Sequence, residues 1–219
     1  MDWLELNFLQ TNLNHCARAQ DLFMQATAQW SVDVAVAADP YYVPRHSNWA
    51  GDMDGVVAIV TPSSAPPLIV KERGAGYVEA VCGGGVAVVG VYFSPNRPMA
   101  EFEPFLLRLS SVVTRFAPAN ILHLIMSDLN AKSPAWGSRL PNAKGRAVQA
   151  WVTANGLVVA NRGTANTCRR QASQQEGGLL VDARARASAI RQQHRAEGAQ
   201  AVSQKASHAP GGGETPRRL

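Results

Sequence analysis

Three short apolar runs constrain this chain more than any other feature. Residues 32–38, 86–93 and 121–126 are dominated by valine, isoleucine, leucine and alanine, and each stops at a polar or turn-forming residue. Runs of this length bounded by turn signals read as strands. Residues 86–93 are apolar almost throughout, the pattern of a strand covered on both faces. Further strands are expected at 4–14, where Leu6, Phe8 and Gln10 alternate with other positions, and at 55–60, 77–81 and 157–160, with Gly83-Gly84-Gly85 as a turn. Ala19, Leu22, Phe23, Ala26 and Trp30 recur at helical spacing, as do Phe102, Phe105, Leu106, Leu109, Val112, Val113 and Phe116, with Pro118 as the stop. Residues 143–155 form a third expected helix, capped by Asn155-Gly156. Strands alternating with a few helices imply an α/β fold of two sheets packed face to face with helices outside.

The charge is unevenly placed. Up to Thr167 there are 12 Lys+Arg against 12 Asp+Glu; from Cys168 onward there are 9 against 4. The whole net charge of +5 therefore sits in the last quarter, and the basic balance describes the tail rather than a face of the folded body. That tail has no Phe, Trp or Tyr. Residues 183–206 have helical propensity but no apolar stripe, so 183–219 are expected to be a basic, largely disordered tail behind a body spanning 1–182. Arg169 and Arg170 are read either as non-specific phosphate contacts or as solubilising charge. The three cysteines, Cys16, Cys82 and Cys168, form no CxxC pair, which argues against a zinc site and a disulfide framework. The acidic N-terminus and the absence of a bilayer-length apolar run predict an intracellular protein, nuclear or cytoplasmic, with no membrane association, and a monomer.

Candidate chemistry collects at strand ends. Asn12, Asp39, Tyr92, and the pair Asp128 and Asn130 each stand at or just beyond an apolar strand. Singly they read as turn formers. Together they are the groups that metal-assisted phosphodiester hydrolysis uses: hard oxygen ligands for Mg²⁺ and a carboxylate to activate water.

The order of Gln10-Thr11-Asn12-Leu13-Asn14, Ala38-Asp39-Pro40-Tyr41, Val91-Tyr92-Phe93-Ser94-Pro95-Asn96 and Ser127-Asp128-Leu129-Asn130-Ala131 resembles the exonuclease–endonuclease–phosphatase superfamily. Trp136-Gly137-Ser138, Asn142-x-x-Gly145-Arg146 and Asn161-x-Gly163-Thr164 narrow it to the apurinic-like endonuclease domain of insect non-LTR retrotransposons, over residues 4–170. The resemblance implies a four-layer α/β sandwich, incomplete at the C-terminus, with Mg²⁺ as cofactor and Mn²⁺ as the alternative. It implies DNA as substrate, a nick that leaves a 3′-hydroxyl to prime reverse transcription, and a downstream reverse transcriptase in the intact element. By position it assigns Asn12 and Asp39 to the metal and Tyr92, Asp128 and Asn130 to catalysis. Asp182 is an additional candidate, and Trp136 and Asn96 are candidate DNA contacts.

Three departures accompany the resemblance. Asp39 stands where the family carries Glu. Ser127 stands where it carries Gly before the Asp-x-Asn. The terminal Ser-Asp-His triplet is absent, and His194 and His208 read as solvated tail residues. The change of character after Arg170 is read as a truncated or frame-shifted copy. The alternative function is thus a catalytically impaired copy with weak nucleic-acid binding. A phosphatase of the same superfamily is disfavoured by the Trp136-Gly137-Ser138 and Ser94-Pro95-Asn96 segments.

Overall fold

The computed structural model describes residues 6–83, 85–115 and 122–160, and the backbone of 179–182. In chain order the elements are β1 (Phe8–Asn12), α1 (Ala17–Gln29), β2 (Val34–Ala38), β3 (Trp49–Gly51), β4 (Val57–Val60), β5 (Ile69–Gly74), β6 (Tyr77–Cys82), β7 (Val86–Tyr92), α2 (Met99–Thr114), β8 (Leu122–Asp128), α3 (Ala143–Ala154), β9 (Val158–Val159) and β10 (Leu179–Asp182). One sheet runs β1-β2-β4-β3 and the other β5-β6-β7-β8-β10-β9.

The apolar runs explain the layering. Every residue of β2, β4 and β7 is buried, so each strand is covered on both faces. Val36, Ala38, Val57 and Ile59 from the first sheet meet Val78, Val88, Leu124 and Met126 from the second in the central core. The outer face of the first sheet, with Ala35, Ala37 and Val60, packs on Phe23 of α1. The outer face of the second, with Val89, Val91 and Ile125, packs on Phe102, Phe105 and Leu109 of α2 and Val148 and Trp151 of α3. The result is the expected four-layer α/β sandwich of helix, sheet, sheet and helices.

Boundaries differ from the sequence reading for physical reasons. The ladder at 4–14 holds only over Phe8–Asn12, where β1 has a partner in β2; residues 1–5 lie outside the described set. β8 continues past Met126 to Asp128, because each of its residues is paired with β7 as far as Tyr92. Asp128 is thus the last strand residue rather than a turn residue. Two strands escaped the pattern. β3 is three residues long and contains a glycine. β5 is a sheet edge carrying Lys71, Glu72 and Arg73, the charged composition that blunts edge-to-edge pairing and also hides the apolar alternation.

The Asn155-Gly156 cap is observed, with Gly156 at φ 63°. Residues 179–182 form a strand between β8 and β9. Among the described residues no helix is long and apolar enough to cross a membrane. The tail at 183–219, Cys168, Arg169, Arg170, the 161–164 motif, Phe116 and Pro118 lie outside the described residues, as do His194 and His208.

Candidate active site

Strand pairing brings the candidates together in two pairs, and one side-chain hydrogen bond joins the pairs at one rim. β1 and β2 run parallel with Asn12 opposite Ala38, so Asp39 is the next residue beyond the ladder. β7 and β8 run parallel with Tyr92 opposite Asp128. The two pairs belong to different sheets, and the sheets are joined at this rim by a hydrogen bond from Asn12 Nδ2 to Asp128 Oδ2 of 2.8 Å. The phenol of Tyr92 has the side chains of Asn12 and Ser94 as hydrogen-bond partners and feels the charges of both Asp39 and Asp128. Residues 116 positions apart in sequence thus meet at the C-terminal ends of four strands.

Asn12, Asp128 and Asn130 are held by their side chains, and Asp39 by its backbone. Asn12 Oδ1 accepts from the Asn14 backbone N–H at 2.8 Å, an Asx turn that leaves the amide nitrogen directed at Asp128. Asp39 sits at φ 47°. The following Pro40 disfavours the right-handed helical region there, and both backbone groups of Asp39 are satisfied, its N–H by Val56 O and its carbonyl by the His15 N–H, each at 2.8 Å. Asn130, at φ 50°, folds back so that its backbone N–H donates to Asp128 Oδ1 at 3.3 Å and its Nδ2 to Phe93 O at 3.1 Å. Ser127, where glycine was expected, is buried in β8 and accommodated there.

Burial and like charge set the electrostatics. Asp128 is 8% exposed, and its burial holds the carboxyl above the ordinary aspartate range. The hydrogen bonds from Asn12 and Asn130 oppose that rise, and the Asp39 charge adds to it. Tyr92 is pushed up from its ordinary value by burial first and then by the two carboxylates.

A second tier of residues fixes the loops, and the sequence reading gave them no role. Asn142 caps α3 by accepting from the Gly145 N–H at 2.7 Å, and the same Oδ1 accepts from the Lys132 N–H at 2.9 Å. Its Nδ2 donates to Asn130 O at 3.2 Å. The Asn142-x-x-Gly145 motif is therefore a clamp between α3 and the loop that follows Asp128. Gly145 is required by proximity, since a Cβ there would lie 1.8 Å from Lys132 O. Lys144 donates to Ser94 O and Pro95 O, both at 3.2 Å, from above the Phe93 ring, so it secures the loop beyond Tyr92.

The remaining candidates are placed differently. Asn96 is exposed on that same loop. Trp136 is half-buried against the outer core, and its indole N–H donates to Ala131 O at 2.9 Å. Asp182 pairs opposite Leu124 on β8, four positions along the strand from Asp128 and toward the far end of the sheet.

The donor set suits a divalent cation of the magnesium type. Among the described residues no group of three or more His, Cys, Asp or Glu side chains forms a metal cage. Mg²⁺ needs none, since it takes one or two carboxylates and completes its shell with water and substrate phosphate. The Asp39 charge raises the Asp128 carboxyl, and a cation beside the two carboxylates would offset that repulsion.

Residues 86–203 match the endonuclease–reverse transcriptase family; the match runs past Arg170, where the sequence resemblance had been drawn to end. The fold is that of the endonuclease domain of TRAS1, a telomere-specific non-LTR retrotransposon, with a TM-score of 0.68, 22% identity, and 81% of this chain and 85% of that one covered. An AP endonuclease from Archaeoglobus fulgidus aligns with a TM-score of 0.59 and 12% identity over 82% of this chain and 87% of its own. The catalytic domain of Xenopus laevis APE2 aligns at 0.55 and 12% over 80% and 81%. No curated protein matches the chain in sequence.

Proposed function

Because the chain belongs to the endonuclease–reverse transcriptase family, we propose that it is a Mg²⁺-dependent endonuclease. Its product is a DNA nick that primes reverse transcription for a mobile element. The observation that supports this most is the Asn12–Asp128 hydrogen bond across the two sheets, with Tyr92 and Asp39 beside it.

Asp39 and Asn12 are the residues that would hold Mg²⁺, with Mn²⁺ as the alternative, and the bound ion supplies charge stabilisation at the phosphate and the leaving oxygen. The chain's own residues do the rest. Asp128 accepts the proton of the attacking water while Asn12 and Asn130 fix the orientation of its carboxylate. Water attacks phosphorus, the bond to the 3′ oxygen breaks, and that oxygen takes a proton from solvent, so that a 3′-hydroxyl and a 5′-phosphate result. Tyr92, a phenol protonated at neutral pH, donates to a phosphate oxygen as negative charge builds there. Asn96 is proposed to touch the flanking backbone.

The test is nicking of supercoiled plasmid by purified protein in Mg²⁺, beside an Asp128→Ala variant and an EDTA control. Nicking that needs both Asp128 and metal supports the reading. No nicking above the Asp128→Ala background from folded protein would assign the chain the alternative role of an impaired copy that only binds nucleic acid.

A further inference from the structure

An aromatic surface with no assigned role adjoins the rim. Tyr41 and Tyr42 directly follow Asp39-Pro40, and both are exposed, at 48% and 59%. The Tyr41 ring lies between two others: its centroid is 5.5 Å from the His15 ring and 6.1 Å from the Tyr42 ring, the latter edge-on at 86°. Large aromatic side chains in solvent forgo burial, so a row of three with Tyr41 touching the other two calls for a reason.

The segment is also held in place. Gln20 on α1 is 4% exposed, and its amide clamps the Tyr42 backbone in both directions, with Nε2 donating to Tyr42 O at 3.0 Å and Oε1 accepting from the Tyr42 N–H at 3.2 Å. His15 stands at φ 49°, in the left-handed region that histidine enters more readily than most residues. Its backbone N–H is bound to Asp39 O and its Nδ1 lies 3.0 Å from Pro40 O. The buried Gln20 amide and the His15 bonds thus fix the backbone that carries an exposed aromatic group beginning two residues from Asp39. Rings carried on a backbone fixed in advance lose less freedom when a flat ligand arrives.

We propose that His15, Tyr41 and Tyr42 form a stacking platform for an unpaired base of the DNA beside the scissile phosphate. The proposal rests on the nuclease reading and adds a substrate preference to it: this site favours DNA with locally unpaired bases over fully paired duplex. Every base has a face that an aromatic ring can stack on, so the preference is for unpairing rather than for sequence.

The experiment compares two labelled oligonucleotide duplexes by fluorescence anisotropy in EDTA, identical except that one contains a short unpaired stretch carrying 2-aminopurine. Wild-type protein should bind the unpaired substrate about tenfold more tightly, the scale of one base stacked on an aromatic side chain, and should quench the 2-aminopurine. The Tyr41→Ala/Tyr42→Ala double variant should bring the affinity ratio close to one and abolish the quenching. The Tyr41→Phe/Tyr42→Phe double variant keeps the rings and should keep the ratio. A wild-type ratio near one, an alanine variant with an undiminished ratio, or loss of the ratio in the phenylalanine variant would each overturn the platform. Metal-dependent nicking together with a ratio near one overturns the platform and leaves the nuclease standing. An intact ratio without nicking does the reverse.

Discussion

Replacing Asn142 tests whether the clamp between α3 and the Asp128 loop is structural, catalytic or both. In Asn142→Ala the Gly145 N–H loses its capping acceptor, which costs about 1 kcal/mol. The Lys132 N–H loses the same oxygen, and a partly buried donor deprived of its acceptor adds roughly 1–2 kcal/mol. The sum of about 2–3 kcal/mol corresponds to a fall in Tm of roughly 6–9 °C for a domain of this size. Asn142→Asp separates the effects. A carboxylate keeps an acceptor for both N–H groups and suits a helix N-terminus, so Tm should fall by no more than about 3 °C. It cannot donate to Asn130 O, however, and sets a negative oxygen against that carbonyl. Asn130 then loses the contact that holds its backbone near Asp128, and the nicking rate should drop about tenfold or more. Thermal unfolding by circular dichroism and initial nicking rates on one plasmid measure the two quantities. A Tm change under about 1 °C in Asn142→Ala would refute the stability estimate, and wild-type nicking by Asn142→Asp would refute the positioning role.

Three further outcomes follow from the same geometry. Gly145→Ala should destabilise the fold by about 1–3 kcal/mol in spite of alanine's better helix propensity, because the new Cβ would overlap Lys132 O; a denaturant titration showing a gain in stability would contradict it. Asp39→Asn removes a charge that raises the Asp128 carboxyl, so the acidic limb of the pH–rate profile should move to lower pH while the Mg²⁺ concentration needed for half-maximal nicking rises. An acidic limb that stays in place or moves to higher pH would sever the proposed coupling. The third concerns Asp128 itself. Its folded pKa lies above the unfolded value, so its contribution to stability is fully present below about pH 4 and is lost as pH rises through the folded value. In metal-free buffer the wild-type Tm should accordingly fall relative to that of Asp128→Asn as pH rises from about 4 to neutrality; the slopes are compared because the asparagine NH2 faces Asn12 Nδ2 or the Asn130 N–H and lowers the variant at every pH. Added Mg²⁺ should raise the Tm of the wild type and do much less for the variant. A wild type that gains on the variant as pH rises would reverse the sign.

The layers of this fold were legible because its central strands are apolar on both faces. Residues 32–38 and 86–93 admit few readings other than buried strands, and the spacing of Phe102, Phe105 and Leu109 sets the helix that covers one of them. Asn12, Asp39, Tyr92 and Asp128 were visible as polar residues ending apolar runs, and strand pairing with the Asn12–Asp128 bond then carried them to one rim. What the sequence could not supply was any contact made by a polar side chain to a distant backbone. Asn142 and Lys144 look like ordinary residues at a helix start, and their partners at Asn130, Lys132, Ser94 and Pro95 become neighbours only once α3 is docked. The same holds for Gln20, whose hydrogen bonds to Tyr42 span 22 positions.

The uneven legibility has a consequence for how the site tolerates change. Asp39 and Ser127 both depart from the family's residues, yet each is accommodated by the backbone around it: Asp39 by a left-handed turn whose N–H and carbonyl are both bonded, and Ser127 by a place within a fully paired strand. Backbone ladders absorb such substitutions because the bonds that define them do not involve the side chain. The Asn12–Asp128 bond and the Asn142 clamp have no such insurance, since the side chain is itself the link. Loss of function in this chain should therefore arise more readily from replacements at Asn12 and Asn142 than from a one-methylene change at Asp39. An Asn12→Ala variant compared with Asp39→Glu in the same nicking assay decides the point. The argument fails if Asp39→Glu proves the more damaging of the two.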